Sequence, residues 1–279
     1  SRQGTLMTAA YHARLVELTA ARGNLCVGVD PHEPLVRAWG YDYDLVGLER
    51  VSRGLVEAIG DQVAVFKPQA AFFECFGAPG MQVLARVLAD IAQAGALSIL
   101  DVKRGDIGST MAAYSRAYLS GQTDLTADAI TISPFLGFGS LGPAVELAHQ
   151  TGRGLYVLCR TSNPEGGDVQ LAVRDGRSVA QQMVDAAKAA NEASGQHAVG
   201  LVIGGTLDKL DLDLEGFSGS ILVPGIGTQG GRIDDLDSLF GVAAANVLPS
   251  ASREVMKAGP QRESLRSVVE RLGGYPNSR

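Results

Sequence analysis

Several residue types that mark specialised classes of protein are scarce in this chain. Its 279 residues include 3 cysteines, 4 histidines and 1 tryptophan. The cysteines are odd in number and widely spaced, so they do not predict a disulfide framework; we expect free thiols in a reducing, cytoplasmic compartment. The histidines form no pair at the spacing of metal ligands, so we predict no protein-bound metal.

Long apolar runs and runs of basic residues are also missing. The net charge is -6, which argues against a nucleic-acid partner. The longest apolar stretches are far shorter than the ~20 residues that span a bilayer, and no secretory signal pattern is found, so we expect no membrane partner. Residues 1–6, before Met7, are expected to be an ill-ordered lead or cloning remnant, which leaves residues 7–279 as one domain.

What the chain does have is a regular alternation of short apolar runs with helix-like segments. The strand-like runs are residues 25–30, 63–68, 97–103, 129–133, 154–160, 198–204, 219–225 and 243–249. Residues 81–94 and 179–193 are examples of the intervening helical periodicity. Eight such units in about 250 residues predict an α/β fold, a single-domain (β/α)8 TIM barrel. A doubly wound parallel sheet is the alternative, because strand count does not prove closure.

Charged residues are concentrated where the third of these runs ends. Asp101 and Lys103 are two residues apart, so strand alternation places them on one face, and Asp106 follows in a glycine-containing loop. Charges at the end of a buried strand are costly unless they are paired. Carboxylates around one lysine favour the ammonium form, which suits a general acid better than a nucleophile. A purely structural ion pair is the alternative.

Other runs also end in polar residues, and the active sites of such barrels lie at these carboxyl ends. The ends carry Asp30, Lys67, Ser133 and Arg253. The glycine-rich segment 224–231, which holds Pro224, Gln229 and Gly230, offers backbone N–H groups, and we predict that with Arg253 it binds phosphate. Each feature has an ordinary structural explanation as a turn, a helix cap or a surface arginine.

The segment Asp-Val-Lys-Arg-Gly-Asp-Ile-Gly-Ser-Thr at 101–110 resembles the Asp-x-Lys-x-x-Asp-Ile-x-x-Thr signature of the orotidine 5'-phosphate decarboxylase family. The resemblance extends through Asp30, Lys67, Ser133 and the last two loops. It implies decarboxylation of orotidine 5'-phosphate to uridine 5'-phosphate without a cofactor. Chain length and the segment around 161–163 resemble the longer bacterial branch of the family.

The resemblance also implies roles for individual residues. Lys103 would protonate C6 of the pyrimidine, Asp101 would face the departing carboxylate, and Lys67 would bridge Asp101 and the ribose. Asp106 would complete an alternating array, and Asp106, Ile107 and Thr110 would reach into the neighbouring subunit of a homodimer with shared sites. The remaining substrate contacts would be Asp30 to ribose hydroxyls, Ser133 to the pyrimidine, and Gln229, the neighbouring Pro224 and Gly230, and Arg253 to phosphate.

Three other functions compete with this interpretation. A sugar-phosphate decarboxylase or synthase of the same suprafamily would use Mg²⁺, which Lys67 would repel. A Schiff-base aldolase would need a neutral lysine, which flanking carboxylates disfavour. A non-catalytic phosphate-binding barrel would have no need for Lys67, Asp101, Lys103 and Asp106 together.

Overall fold

A computed structural model describes residues 9–227 and 230–273, and its centre is a closed barrel of eight parallel strands. The strands neighbour one another in chain order, and the last pairs with the first at Cys26 and Ser250. They are β1 Cys26–Val29, β2 Val65–Pro68, β3 Leu97–Arg104, β4 Ala129–Ile132, β5 Gly154–Arg160, β6 Val199–Ile203, β7 Ile221–Pro224 and β8 Val247–Ala251. Closure confirms the predicted barrel and excludes the doubly wound sheet.

Helices surround the barrel and cover its outer face. They are α1 Tyr11–Arg22, α2 Glu33–Ala38, α3 Leu45–Ile59, α4 Ala71–Glu74, α5 Gly77–Gln93, α6 Gly108–Leu119, α7 Gly142–Thr151, α8 Gly166–Gln170, α9 Val179–Ser194, α10 Leu236–Phe240, α11 Arg253–Met256 and α12 Arg262–Gly273. Short 3₁₀ turns occupy Phe138–Leu141, Ile233–Asp235 and Gly241–Asn246. None of the helices in the described residues is long and apolar enough to cross a membrane.

The structure differs from the sequence prediction in three details: the start of one strand and the content of two connections between strands. The eighth strand begins at Val247 rather than 243, because the preceding apolar run forms a 3₁₀ turn that buries Ala243 and Ala244. A two-stranded hairpin, Val173–Arg174 with Arg177–Ser178, precedes α9. The connection between β6 and β7, all of which the structure describes, contains no helix. Short apolar runs do not distinguish strand from helix by periodicity, which explains the first error.

Strand alternation divides the core and also positions the polar residues. Leu100 and Val102 of β3 point outward into the layer under the helices, whereas Leu97 and Ile99 fill the inside of the barrel. Asp101 is the next inward position of β3 after Ile99. By the same rule Lys67 of β2 follows the interior Val65, and Thr131 of β4 follows the interior Ala129. The apolar filling therefore ends in a polar layer at the carboxyl edge.

The opposite mouth of the barrel is closed by α1. The Tyr11 hydroxyl lies 2.9 Å from the Tyr156 hydroxyl, which donates to Ser220 Oγ at 3.0 Å. All three residues are buried. A Cβ at Gly154 would lie 2.3 Å from the Tyr11 ring, so only glycine lets α1 approach β5 so closely. The amino-terminal end of the barrel is therefore plugged, and a ligand must enter from the carboxyl edge.

Candidate active site at the carboxyl edge of the barrel

The Asp101 carboxylate is held between two lysines, one of them predicted from strand alternation and the other implied by the resemblance. Its Oδ2 accepts from Lys67 Nζ at 3.0 Å, and its Oδ1 accepts from Lys103 Nζ at 2.6 Å. Lys67 and Asp101 are only 7% and 8% exposed, whereas the Lys103 side chain is 46% exposed. Lys67 is thus almost entirely buried beside the carboxylate, whereas the Lys103 side chain is open to a ligand.

Electrostatics keep this buried pair ionised. Burial on its own would lower the pKa of the Lys67 ammonium, but the carboxylates of Asp101 and Asp30 outweigh it and raise that pKa above its ordinary value. Burial would raise the pKa of Asp101, but Lys67 and Lys103 overcome it and hold that pKa well below the usual range. The site therefore presents a fixed negative charge beside fixed positive charges.

Two residues that the prediction did not include complete the shell around Asp101. Thr131 Oγ1 donates to Oδ1 at 2.8 Å. The amide of Gln69, oriented with its nitrogen toward Asp101, donates to the Asp101 backbone carbonyl at 2.8 Å and to Oδ2 at 3.3 Å. Thr131 is the one hydroxyl residue in the apolar run of β4, and this was the available sequence signal. Four side chains thus fix the orientation of one carboxylate.

Lys103 has an unusual backbone conformation. Its φ is +46°, in the left-handed region, which costs a lysine roughly 1–2 kcal/mol. The pairing of β3 with β4 shifts here, because Leu100 pairs with Ile130 but Arg104 pairs with Ile132. Arg104 then turns away and forms an ion pair with Glu74. A bulge of this kind re-aims a side chain at the edge of a barrel, and here it aims Lys103 back over Asp101.

These groups line a cavity of about 220 Å³ at the carboxyl edge. Of the predicted site residues, Asp30, Lys67, Asp101, Lys103, Pro224 and Arg253 line it. Leu158, Val202 and Leu222 form an apolar wall, and Thr161, Ser250 and Ser252 add hydroxyls that the prediction missed. Among the described residues, no group of three His, Cys, Asp or Glu side chains is arranged to hold a metal ion.

Asp30 and Arg253 bring side chains of opposite charge to the cavity. Asp30 follows β1, and its Oδ1 is buried without a hydrogen-bond partner in the part of the chain that the structure describes. A buried, unpaired acceptor is costly, so it is suited to receive a ligand hydroxyl. Arg253, the first residue of α11, is exposed, and no ion pair among the described residues uses its guanidinium. It is available to an anion.

The glycine-rich segment after β7 differs from expectation. Gly225 and Gly227 have φ of +98° and +82°, values that favour glycine. The N–H groups of Gly227, Gly230 and Gly231 donate to Gly231 O, Gly227 O and Gly225 O at 2.8, 2.8 and 2.9 Å. The prediction that the N–H groups of Gly227, Gly230 and Gly231 are free is therefore wrong, because each of them donates to a backbone carbonyl of the same loop. Gly230 does not line the cavity, and Gln229 lies outside the described residues.

The remaining predicted residues lie beyond the cavity lining. Asp106 Oδ1 accepts from the N–H of Ile107 at 2.8 Å, and Ile107 is 62% exposed. Thr110, in the first turn of α6, is also exposed. Ser133 follows β4, and its N–H donates to Arg104 O at 2.8 Å. Within one chain, therefore, Asp106 does not join the array of Lys67, Asp101 and Lys103.

A second, larger groove lies on the outside of the barrel. It measures about 1070 Å³ and is lined mainly by α3, with Glu49 and Arg53 from that helix and Asp90 from α5 among its residues. Arg53 is paired with both carboxylates there. The groove shares no lining residue with the cavity at the carboxyl edge. The smaller cavity contains Lys67, Asp101 and Lys103 and is therefore the candidate active site.

Comparisons with known proteins agree with the site. The model of the orotidine 5'-phosphate decarboxylase / HUMPS family matches residues 23–268. The orotidine 5'-phosphate decarboxylase of Streptomyces coelicolor is 50% identical over 266 residues, covering 94% of this chain and 95% of that protein. That of a Nocardioides species is 52% identical over 252 residues, covering 88% and 92%.

Solved structures give the same result. A crystal structure from Streptomyces avermitilis superposes with a TM-score of 0.93 at 50% identity and covers 98% of this chain and 96% of its own. The structure of Leishmania donovani OMP decarboxylase gives 0.75 at 30% identity, with 94% and 97% coverage. By sequence, by barrel and by the residues at its carboxyl edge, this chain belongs to the orotidine 5'-phosphate decarboxylase / HUMPS family.

Proposed function

We propose that this protein decarboxylates orotidine 5'-phosphate to uridine 5'-phosphate, with no metal or cofactor. One observation carries the proposal: the buried Asp101 carboxylate is held between Lys67 and Lys103 at the carboxyl edge of the barrel. The name shared by the curated relatives supports the same reaction. The sugar-phosphate alternative has no such support, and the Lys67 ammonium would repel a divalent cation beside Asp101.

The reaction follows from the placement of charge. The bond from C6 to the carboxylate breaks, carbon dioxide leaves, and the electron pair stays on C6. Lys103, whose side chain is 46% exposed, lies where its ammonium can stabilise this carbanion and then transfer a proton to C6. Solvent returns the proton to Lys103. Asp101, which stays ionised, repels the substrate carboxylate next to it, and that repulsion disappears as carbon dioxide departs.

The rest of the substrate would be held by groups around the cavity. The unpaired Asp30 Oδ1 suits a ribose hydroxyl, and Arg253 suits the phosphate. Because the phosphate is remote from C6, its binding energy would contribute to catalysis by positioning the substrate. Gln229 and Gly230 remain predicted phosphate contacts, and Ser133 remains the predicted contact to the pyrimidine.

A direct assay tests the reaction. The absorbance of orotidine 5'-phosphate should fall upon addition of the protein in buffer that contains EDTA and no added metal. Formation of uridine 5'-phosphate in equal amount completes the test. A folded preparation that shows no turnover, or whose turnover vanishes with chelator and returns with a divalent cation, would refute the cofactor-free mechanism.

We further propose a homodimer whose two sites each use Asp106 of the neighbouring subunit. The support is that Ile107 and Thr110 are exposed beside Asp106, and that Phe135 and Leu136 in the adjacent loop are 77% and 53% exposed. Apolar side chains clustered at a rim favour association. The free thiols of Cys26, Cys75 and Cys159 fit the reducing cytoplasm, where we place the enzyme.

Mixing two inactive variants tests the shared site. In a mixed dimer of Lys103→Ala and Asp106→Asn subunits, one site collects both substitutions and the other is wild type. Random exchange makes about half of the dimers mixed, so about a quarter of all sites should recover. Each variant alone is the control. If subunits exchange without recovery, Asp106 acts within its own chain.

A further inference from the structure

We propose that the hydroxyl of Thr131 is a positioning group that holds Lys103 in its reactive orientation. The inference rests on the function proposed above, because it assigns Thr131 a part in the same proton transfer. Thr131 lies in β4, is 1% exposed and lines the cavity without carrying charge. Its role comes from its contacts with the neighbouring strand.

Both ends of Lys103 are connected to one pair of residues. The Lys103 backbone N–H donates to Thr131 Oγ1 at 3.0 Å, and the Thr131 hydroxyl donates to Asp101 Oδ1 at 2.8 Å. The same Oδ1 accepts from Lys103 Nζ at 2.6 Å. The hydrogen bonds therefore form a closed ring that runs from the Lys103 backbone through Thr131 and Asp101 to the Lys103 ammonium.

Chemistry fixes the direction of every bond in this ring. An ionised carboxylate can only accept, so the single hydroxyl hydrogen of Thr131 points to Asp101. A lone pair of the same oxygen is then left for the Lys103 N–H. A hydroxyl both donates and accepts here, which no apolar residue of the same shape can do. Valine at this position would leave the N–H and the carboxylate each short of a partner.

The strand register explains why a side chain is needed at this point. Leu100 pairs with Ile130 and Arg104 pairs with Ile132, so three residues of β3, 101–103, lie opposite the single residue Thr131. Lys103 adopts its φ of +46° within this bulge. A left-handed lysine persists only where its surroundings hold it. The Thr131 hydroxyl accepts directly from the Lys103 N–H, so it is placed to hold Lys103 in this conformation.

Steady-state kinetics on two substitutions test the proposal. Thr131→Val keeps the shape and removes the hydroxyl, and it should lower kcat by roughly 10- to 100-fold with little change in KM. Thr131→Ser keeps the hydroxyl and should retain a kcat close to that of the wild type. Thr151→Val is the matched control, since among the described residues the Thr151 hydroxyl bonds only to Leu147 O on α7, and its kcat should be unchanged.

The kcat and KM values of the Thr131 variants, compared with one another, decide whether Thr131 is a positioning group. A wild-type kcat in Thr131→Val, an equal loss in Thr131→Ser, or a loss confined to KM would overturn the positioning role. If Thr131→Val is not recovered folded, Thr131→Ala removes the same hydroxyl together with the methyl group and carries the same expectation. Wild-type turnover of orotidine 5'-phosphate, measured in parallel, separates failure of this inference from failure of the proposed function.

A crystal structure of Thr131→Val supplies a readout that does not depend on activity. We expect Lys103 to leave the left-handed region and its Nζ to move beyond the ~3.5 Å limit of a hydrogen bond to Asp101 Oδ1. An unchanged Lys103 in that structure would contradict the proposal even if kcat fell.

Discussion

Two groups of buried polar side chains lie inside this barrel, one at each end, and they differ in charge. At the amino-terminal mouth, Tyr11, Tyr156 and Ser220 form a neutral hydrogen-bonded chain. Burial raises the pKa of both tyrosines above the ordinary value, so the chain stays uncharged. At the carboxyl edge, Lys67 and Asp101 are as deeply buried but remain ionised.

This difference in charge indicates different roles for the two ends of the barrel. A satisfied neutral network stabilises a core at modest cost, because few charges are removed from water. A buried ion pair rarely adds stability compared with apolar residues of similar size, since desolvation offsets the attraction. We therefore attribute the charge at the carboxyl edge to the proposed chemistry, and the neutral chain at the amino-terminal mouth to folding. Substitutions at the two ends should separate catalysis from stability.

The largest effect is expected at Lys103. Lys103→Ala should lower kcat by at least about 10³-fold, because it removes the proposed proton donor and the charge proposed to stabilise the carbanion. The side chain is 46% exposed, so thermal stability should change little. Affinity for uridine 5'-phosphate should largely remain. Kinetics, a thermal melt and product binding check the three expectations, with Lys188→Ala on α9 as the control. Substantial residual turnover would mean that another residue is the donor.

A smaller effect is expected at Arg253. A charge-assisted bond to phosphate is worth roughly 1.5–3 kcal/mol, so Arg253→Ala should cost at least about tenfold in kcat/KM. Orotidine, which has no phosphate, should be a poor substrate for the wild type, and the substitution should barely worsen it. Equal losses on the two substrates would show that Arg253 acts through structure, and the phosphate would then be bound elsewhere.

The smallest effect on turnover is expected at the opposite mouth. Tyr156→Phe leaves the hydroxyls of Tyr11 and Ser220 without their shared partner, which costs about 1–3 kcal/mol of unfolding free energy. The melting temperature should fall by several degrees while kcat stays at the wild-type value. Tyr41→Phe, at an exposed tyrosine, should change neither quantity. A fall in kcat for Tyr156→Phe without loss of stability would contradict the assignment of folding to the amino-terminal mouth and catalysis to the carboxyl edge.

Much of this architecture was predictable because it depends on local periodicity. Eight apolar runs gave eight strands, and alternation from Val65 and Ile99 leads directly to Lys67 and Asp101. What could not be predicted depends on register and on loop closure. The bulge at Lys103 and its contact with Thr131 arise from pairing between strands 28 residues apart in the sequence. Likewise, composition does not reveal that the N–H groups of Gly227, Gly230 and Gly231 donate to carbonyls of their own loop.

The double variant Lys67→Met/Asp101→Asn tests the central claim, that the buried charges serve catalysis and not stability. It removes both members of the ion pair together, so neither is left as an uncompensated buried charge. Thermal unfolding and turnover should be measured on the same preparation. We expect a melting temperature at or above that of the wild type, with no detectable decarboxylation of orotidine 5'-phosphate. A melting temperature several degrees lower, or measurable turnover, would contradict the claim.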